Sequence, residues 1–303
     1  MISGIGISTV DHIMVIDGFK GAEGSYACNA YHTDGGGMAA TALCTASKLG
    51  SFCKLFSRIG DDINGQFILD GLKKFGIDTS GVVKVRGKNS VVCVILADSK
   101  SGEKQFFFER TFHVFEDYID FDASRLNGTD ILLLDGFWME AALEGAVWAS
   151  KNRVTIVADI NKNYDGLEDL LPLIDYFIIP EFFAREITGE KTIPDILRSI
   201  KDVISGIPVI TKGREGGSYF VENEIRNYRS FPVECIDSTG AGDAFHGAFC
   251  HFLSKGLSID RSLELASAVG AMNCRSMGGR DSLPTIEELS IFLKEDGSGV
   301  ELP

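Results

Sequence analysis

The sequence predicts an α/β protein in three layers, with helices on both faces of a mainly parallel sheet and a small β-sheet projecting from it. Two observations carry this. In the second half, short apolar runs at Ile131–Leu134, Thr155–Ala158, Tyr176–Ile179 and Pro208–Thr211 alternate with helix-like segments near Glu140–Ser150, Leu167–Leu171 and Phe182–Ile204. That alternation is the pattern of parallel strands covered on both faces. In the first half, strand pairs interrupt the rhythm and are expected to form the projecting sheet.

The elements follow in order. Ile2–Ile7 is an apolar run read as a buried strand, and His12–Gly18 and Tyr26–Thr33 flank the turn-rich Gly18–Ser25. Gly37–Leu49 is Ala-rich, with Leu43, Ala46 and Leu49 at helical spacing and Gly50 as its stop. A strand at Lys54–Ile59 precedes a helix at Asp62–Phe75 closed by Gly76. Ser90–Ala97 and Glu103–Glu109 read as a hairpin around a Ser-Lys-Ser-Gly turn, as do Ser218–Val221 and Glu224–Tyr228. Ala241–Lys255 and Ser258–Ser276 read as long, mostly buried helices.

Composition narrows the function. The chain has 303 residues, 45% of them hydrophobic, and a chain this long buries roughly three quarters of its unfolded surface. A single domain over 1–303 is expected, since α/β folds of this length often form one unit. The 29 basic against 43 acidic residues give a net charge of −14. Such a field disfavours nucleic acid and anionic membranes as partners. The start lacks a basic segment followed by a long apolar one, and the apolar runs are too short to span a bilayer. Seven scattered cysteines without CxxC spacing fit reduced thiols in a cytoplasmic enzyme, and no Cys pair lies near a His pair at zinc spacing.

The strongest chemical signal is Asp237-Ser238-Thr239-Gly240-Ala241-Gly242-Asp243, leading into an apolar helix. The glycines permit a sharp turn, after which the amides of Gly240, Ala241 and Gly242 open at a helix start. Unpaired N–H groups and the helix dipole make an anion site there. A side chain at Gly242 is expected to crowd the bend. Asp243, in the first turn, could hold a substrate hydroxyl and take its proton. Gly4-x-Gly6 is only half of a dinucleotide fingerprint, and there is no GxxxxGK[ST] loop.

These residues resemble the C-terminal signature of the ribokinase-like, or PfkB, carbohydrate kinases, and other pieces agree along nearly the whole chain. Gly4-Ile5-Gly6 with Asp11 resembles the family's first strand and sugar-binding aspartate. Gly35-Gly36-Gly37-Met38-Ala39-Ala40-Thr41-Ala42 resembles its N-terminal signature, and Gly60-Asp61-Asp62-Ile63-Asn64-Gly65 the Gly-x-Asp-x-x-Gly that follows. Thr211-Lys212-Gly213-Arg214-Glu215-Gly216-Gly217 resembles the nucleotide-binding turn.

The resemblance implies a ribokinase-like fold and phosphoryl transfer from ATP to a primary hydroxyl of a sugar. It implies Asp243 as general base, the Gly240–Gly242 amides as anion hole, and Thr211, Gly213 and Gly216 on ATP. Asp11, Gly36 and Gly37 would hold sugar hydroxyls, with Thr41 beside them. The projecting strands, about 12–34 and 84–110, would form a lid that also makes a homodimer contact. The implied cofactors are ATP and Mg²⁺, with K⁺ in some members. Ser282, with Asp237 and Thr239, matches a monovalent-cation site.

Departures from the pattern bear on the substrate. Thr41 stands where the family usually has Asn, which changes the donors available to a sugar. In Pro180-Glu181-Phe182-Phe183-Ala184, Glu181 takes the Asn place of the Asn-x-x-Glu that helps hold Mg²⁺ through water, and Ala184 takes the Glu place. Gly35-Gly36-Gly37 with Thr41, Phe245-His246-Gly247 and Cys274 through Arg280 look like the branch that includes bacterial sulfofructose kinases. Ser25 and Phe137 stand where basic groups for a sulfonate are expected, leaving Lys20 and Arg110 as candidate anion contacts. A nucleoside kinase of the same fold and a non-catalytic sugar-binding regulator remain the alternatives.

Overall fold

The computed structural model describes residues 1–19, 25–100, 103–108, 113–116, 121–297 and 302. Lys20 and Arg110 lie outside them. The first half contains β1 (Ile2–Ile5), β2 (Thr9–Ile16), β3 (Cys28–Gly36), α1 (Met38–Lys48), β4 (Cys53–Gly60), α2 (Ile63–Lys74), β5 (Asp78–Val85), β6 (Val92–Asp98) and β7 (Lys104–Phe108). The second half contains β8 (Ile131–Leu134), α3 (Met139–Asn152), β9 (Thr155–Asp159), α4 (Leu167–Leu170), β10 (Tyr176–Pro180), α5 (Glu181–Thr188), α6 (Ile193–Lys201) and β11 (Ile207–Thr211). The hairpin β12 (Gly217–Val221) and β13 (Glu224–Tyr228) precedes α7 (Ala241–Ser254), α8 (Ile259–Asn273) and α9 (Ile286–Glu295).

Among the described residues, nine strands form one sheet in the order β13-β12-β11-β10-β9-β8-β1-β4-β5. It is parallel from β11 to β5, and the β12–β13 hairpin adds an antiparallel edge. β8 shows why its centre reads as a continuous apolar run. Ile131 and Leu133 pack into one core, with α1, α7 and α8, while Leu132 and Leu134 pack into the other, with α3 and α6. A strand buried on both faces has no polar face to alternate with. The second sheet has the order β3-β2-β6-β7 and is separate from the first.

The expected elements are present, with three instructive differences. The single helix-like stretch Phe182–Ile204 is two helices. Gly189 ends α5 at φ 70°, and Thr192 caps α6, with its side chain accepting from the Asp195 amide. A Gly stop followed by a Thr cap and Pro194 is a readable break. α9 went unread although Thr285 and Glu288 form a capping box. β5 was also missed, because an edge strand beginning Asp-Thr-Ser-Gly carries little apolar periodicity.

Candidate active site

The parallel strands β1, β4, β8, β9, β10 and β11 all end on one edge of the sheet. Chain order runs outward from β1 to β4 and β5 on one side, and from β8 to β11 on the other. The crevice at such a reversal is where open α/β sheets bind ligands. The residues at these strand ends are Gly6, Gly60, Asp135, Asp159, Glu181 and Thr211.

Three successive glycines, each for its own reason, shape the entry to α1. Gly35 and Gly36 belong to β3, paired with Val10 and Thr9, so the strand continues past the expected Thr33. A Cβ on Gly35 would meet Arg280 Nη1 at 2.2 Å, and one on Gly36 would meet the Asp11 carboxylate at 2.1 Å. Gly37 has φ +94°, and its Cβ would lie 2.4 Å from the Ile7 carbonyl. Asp11 is thus pressed onto bare backbone, with Thr9 donating to its Oδ1 at 2.6 Å. Burial raises its pKa, against the lowering effects of that hydrogen bond and of Arg280.

Two groups hold this cradle from behind. Arg280, only 3% exposed, donates from Nη2 to the Gly36 carbonyl at 2.7 Å and from Nε to Thr41 Oγ1 at 3.2 Å. Thr41 is therefore engaged by Arg280 and is not among the residues lining the neighbouring cavity. Asp135 accepts the amides of Ile7 (2.8 Å), Phe137 (3.0 Å) and Ala39 (3.1 Å), joining the ends of β1, β8 and α1. Its pKa is pushed up to about 6 by burial, against the pull of those amides.

At the other wall, Gly240 has φ 72° as the N-cap of α7, and a Cβ there would lie 2.7 Å from Gly279 Cα. Gly242 differs from expectation. A Cβ there meets nothing within 4 Å, so a side chain at Gly242 would enter open space and would not crowd the bend. Ala241 begins the helix, and Asp243 sits in its first turn. Asp243 is raised well above the ordinary carboxylate range, first by burial and then by Asp159, with His246 opposing.

His246, one turn on, has Nδ1 2.8 Å from the Gly242 carbonyl and 3.2 Å from Asp159 Oδ2, with Nε2 3.1 Å from the Ile178 carbonyl. Burial, then the Asp135 carboxyl, pushes Asp159 up, and burial pushes His246 down. The Gly242 and Ile178 carbonyls can only accept, so the ring N–H is the donor in either contact.

Asp11, Gly37, Thr239, Gly240 and Asp243 line one cavity of ≈ 300 Å³. Met38 and Asn161 join them, and the small sheet supplies Cys93, Ile95, Phe106 and Phe108 as an apolar wall. Phe137, also in the lining, packs on Tyr164 with the Lys162 ammonium 5.0 Å from its ring centroid. Gly36, Thr211, Gly213 and Gly216 do not line this cavity. Thr211 ends β11, Gly213 opens a short 3₁₀ turn at φ 54°, and Gly216 closes it at φ 77°. Glu181, at the end of β10, has Oε1 held by Arg185 at 2.6 Å.

The oxygens that the resemblance assigns to a monovalent cation are already engaged. Asp237 Oδ1 accepts from the Lys104 ammonium and from the Thr239 amide and hydroxyl, while Oδ2 accepts from the Gly278 amide. Burial acts against it, yet Lys104 and these amides hold Asp237 below the usual carboxylate range. Ser282 pairs with Ser276 and lines a larger cleft of ≈ 420 Å³ beside α8 and α9. A monovalent cation does not fit a donor set so engaged.

Asp135, Asp159, Asn161 and Lys104 were not singled out from the sequence. For the two aspartates a signal existed, because each directly ends or follows a short apolar strand of a parallel sheet. Such a place lies on the ligand-binding edge.

Comparison with known proteins agrees with this fold. The pfkB family carbohydrate kinase profile matches residues 1–286. A ribokinase from Haemophilus influenzae is 26% identical over 302 residues, covering 96% of this chain and 97% of that one. A 5-dehydro-2-deoxygluconokinase from Clostridium perfringens is 24% identical over 288 residues, covering 86% and 84%. A provisionally assigned ribokinase of solved structure from Agrobacterium tumefaciens superposes with a TM-score of 0.91 at 25% identity, covering 97% of each chain. Among the described residues no helix is long and apolar enough to cross a membrane. Motif order, fold and family profile converge, and the chain belongs to the pfkB carbohydrate kinases, enzymes that phosphorylate sugars with ATP.

Proposed function

We propose that the chain transfers the γ-phosphoryl group of ATP to a primary hydroxyl of a small neutral sugar, with Asp243 as general base. One observation carries this reading: Asp11 and Asp243 open onto the same cavity, whose described lining holds no Lys or Arg. Carboxylates accept from hydroxyls and repel a phosphate or acid group. Asp11 and the Gly36–Gly37 backbone hold the hydroxyls, and Asp243 orients the reacting one. Its raised pKa makes it a stronger base than an ordinary carboxylate. The amides of Gly240, Ala241 and Gly242 face the charge that develops on the transferring group. Thr211, Gly213 and Gly216 position the nucleotide. The aromatic wall of the small sheet acts as a lid that excludes water.

Mg²⁺, when bound with ATP, neutralises charge on the β- and γ-phosphates. Glu181 fits as its anchor through water, because Arg185 engages only Oε1 of that carboxylate. All seven cysteines are free, which suits a reducing cytoplasm.

The test is ADP release with ribose, 2-deoxyribose, fructose, 5-dehydro-2-deoxygluconate, fructose 6-phosphate and inosine. Turnover of a neutral sugar is expected, with Asp243→Asn folded but slower by about 10²–10⁴. Preference for the phosphorylated or acidic sugar sinks the neutral-sugar reading, and preference for inosine sinks the sugar reading altogether. An Asn variant with full kcat removes Asp243 as the base.

A further inference from the structure

We propose that the ammonium of Lys104 is a built-in monovalent cation for the turn before the anion-binding loop, and that it ties the small sheet to that loop. Lys104 opens β7, 133 residues away in sequence from Asp237. Its side chain is 12% exposed and that of Asp237 4%. Nζ meets three oxygens: Asp237 Oδ1, Thr239 Oγ1 at 2.9 Å and Ser238 Oγ at 3.1 Å. A lysine ammonium has three donors, so these oxygens use its full capacity.

The arrangement does what a bound alkali ion does. It places one positive charge among a carboxylate and hydroxyls on consecutive residues, where the turn brings their oxygens together. Among the described residues Asp237 would otherwise be a nearly buried carboxylate without a countercharge, which is costly. Thr239 immediately precedes Gly240, so fixing its hydroxyl and its amide fixes the start of the amide array. The cation is carried by the strand whose Phe106 and Phe108 wall the cavity, so it also joins sheet position to loop position. Lys104 is a positioning residue: it acts through Asp237, Ser238 and Thr239 and is not among the cavity-lining residues.

The experiment compares wild type with Lys104→Met in equal concentrations of KCl, NH₄Cl and tetramethylammonium chloride, whose cation is too large to replace the ammonium. Melting temperature is read first and needs no substrate, so it decides the matter even where the proposed sugar specificity fails. Wild type is expected to melt alike in all three salts. Lys104→Met is expected to melt lower in tetramethylammonium and to recover in K⁺ or NH₄⁺. With the best sugar of the panel, its kcat is expected to fall roughly tenfold or more, equivalent to about 1.4 kcal/mol of barrier, and to recover with the same two cations. If Lys104→Met does not fold, Lys104→Gln, which keeps a polar tip of similar reach, takes its place. A wild-type enzyme that needs K⁺, a variant indifferent to the loss of the ammonium, or a deficit that neither cation restores would each overturn the proposal.

Discussion

At the scale of single residues, two glycines of one loop differ in kind. Gly240 is held at φ 72° against the backbone of Gly279, whereas Gly242 faces open space. Gly240→Ala is expected to lower the melting temperature, since the strained conformation alone costs about 1–3 kcal/mol. Gly242→Ala is expected to keep the melting temperature and lose phosphoryl transfer, because its methyl group would stand in front of the amides. Circular dichroism melts beside kcat separate the two, and equal melting losses would contradict the assignment. The acid cluster gives a pH prediction. Asp243 must be ionised to act as base, so kcat rises with pH through its pKa. Burial and Asp159 place that limb above the ordinary carboxylate range. Asp159→Asn removes the neighbouring acid, and the limb is expected to move to lower pH. A profile that stays in place would show that Asp159 carries no charge near Asp243 in that range.

At the scale of elements, the cradle depends on a loop far away in sequence. Arg280, in the loop after α8, clamps the end of β3 through the Gly36 carbonyl and the first turns of α1 through Thr41. Arg280→Met should lose hydrogen bonds to a charged group, each contributing about 1.5–3 kcal/mol. The expected outcome is a lower melting temperature and a higher sugar KM with ATP affinity retained. Arg280→Lys should not restore it, since one ammonium cannot replace a planar fork reaching two acceptors. Unchanged sugar KM in Arg280→Met would show that Arg280 is packing alone. Thr41, read from the sequence as an atypical sugar contact, has its hydroxyl facing this arginine. Its position in a helix was legible, but its partner was not, because 239 residues separate them.

At the scale of the whole molecule, the small sheet has two faces of different use. Its register places Phe107, Val94, His12 and Thr33 in one row, and Gln105, Leu96, Met14 and Tyr31 in the next, on the face opposite the cavity. Phe107 is 50% exposed and Tyr31 59%. An apolar face of this kind marks an interaction surface, and the proposed occupant is the same sheet of a second copy, as the family resemblance implies. Light scattering on a size-exclusion column is expected to show a dimer of wild type and a monomer of Phe107→Asp. A monomeric wild type would remove the lid contact from the account.

The sequence by itself determined what depends on local chemistry. The strand–helix rhythm, the turn before Gly240, the acidic first turn at Asp243 and the glycine run at Gly35–Gly37 all declared themselves, because turns, caps and periodicity act over a few residues. It also carried the family, since ordered motifs along the chain survive where overall identity is low. Only the tertiary structure decided which distant groups meet. Asp135 gathers amides from three elements, Asp159 stands against His246, Arg280 presses on Gly35, and Lys104 reaches Asp237. The physical reason is the same in each case. A buried charge must find its partner across the fold, and the spacing of residues along the chain holds no record of that pairing.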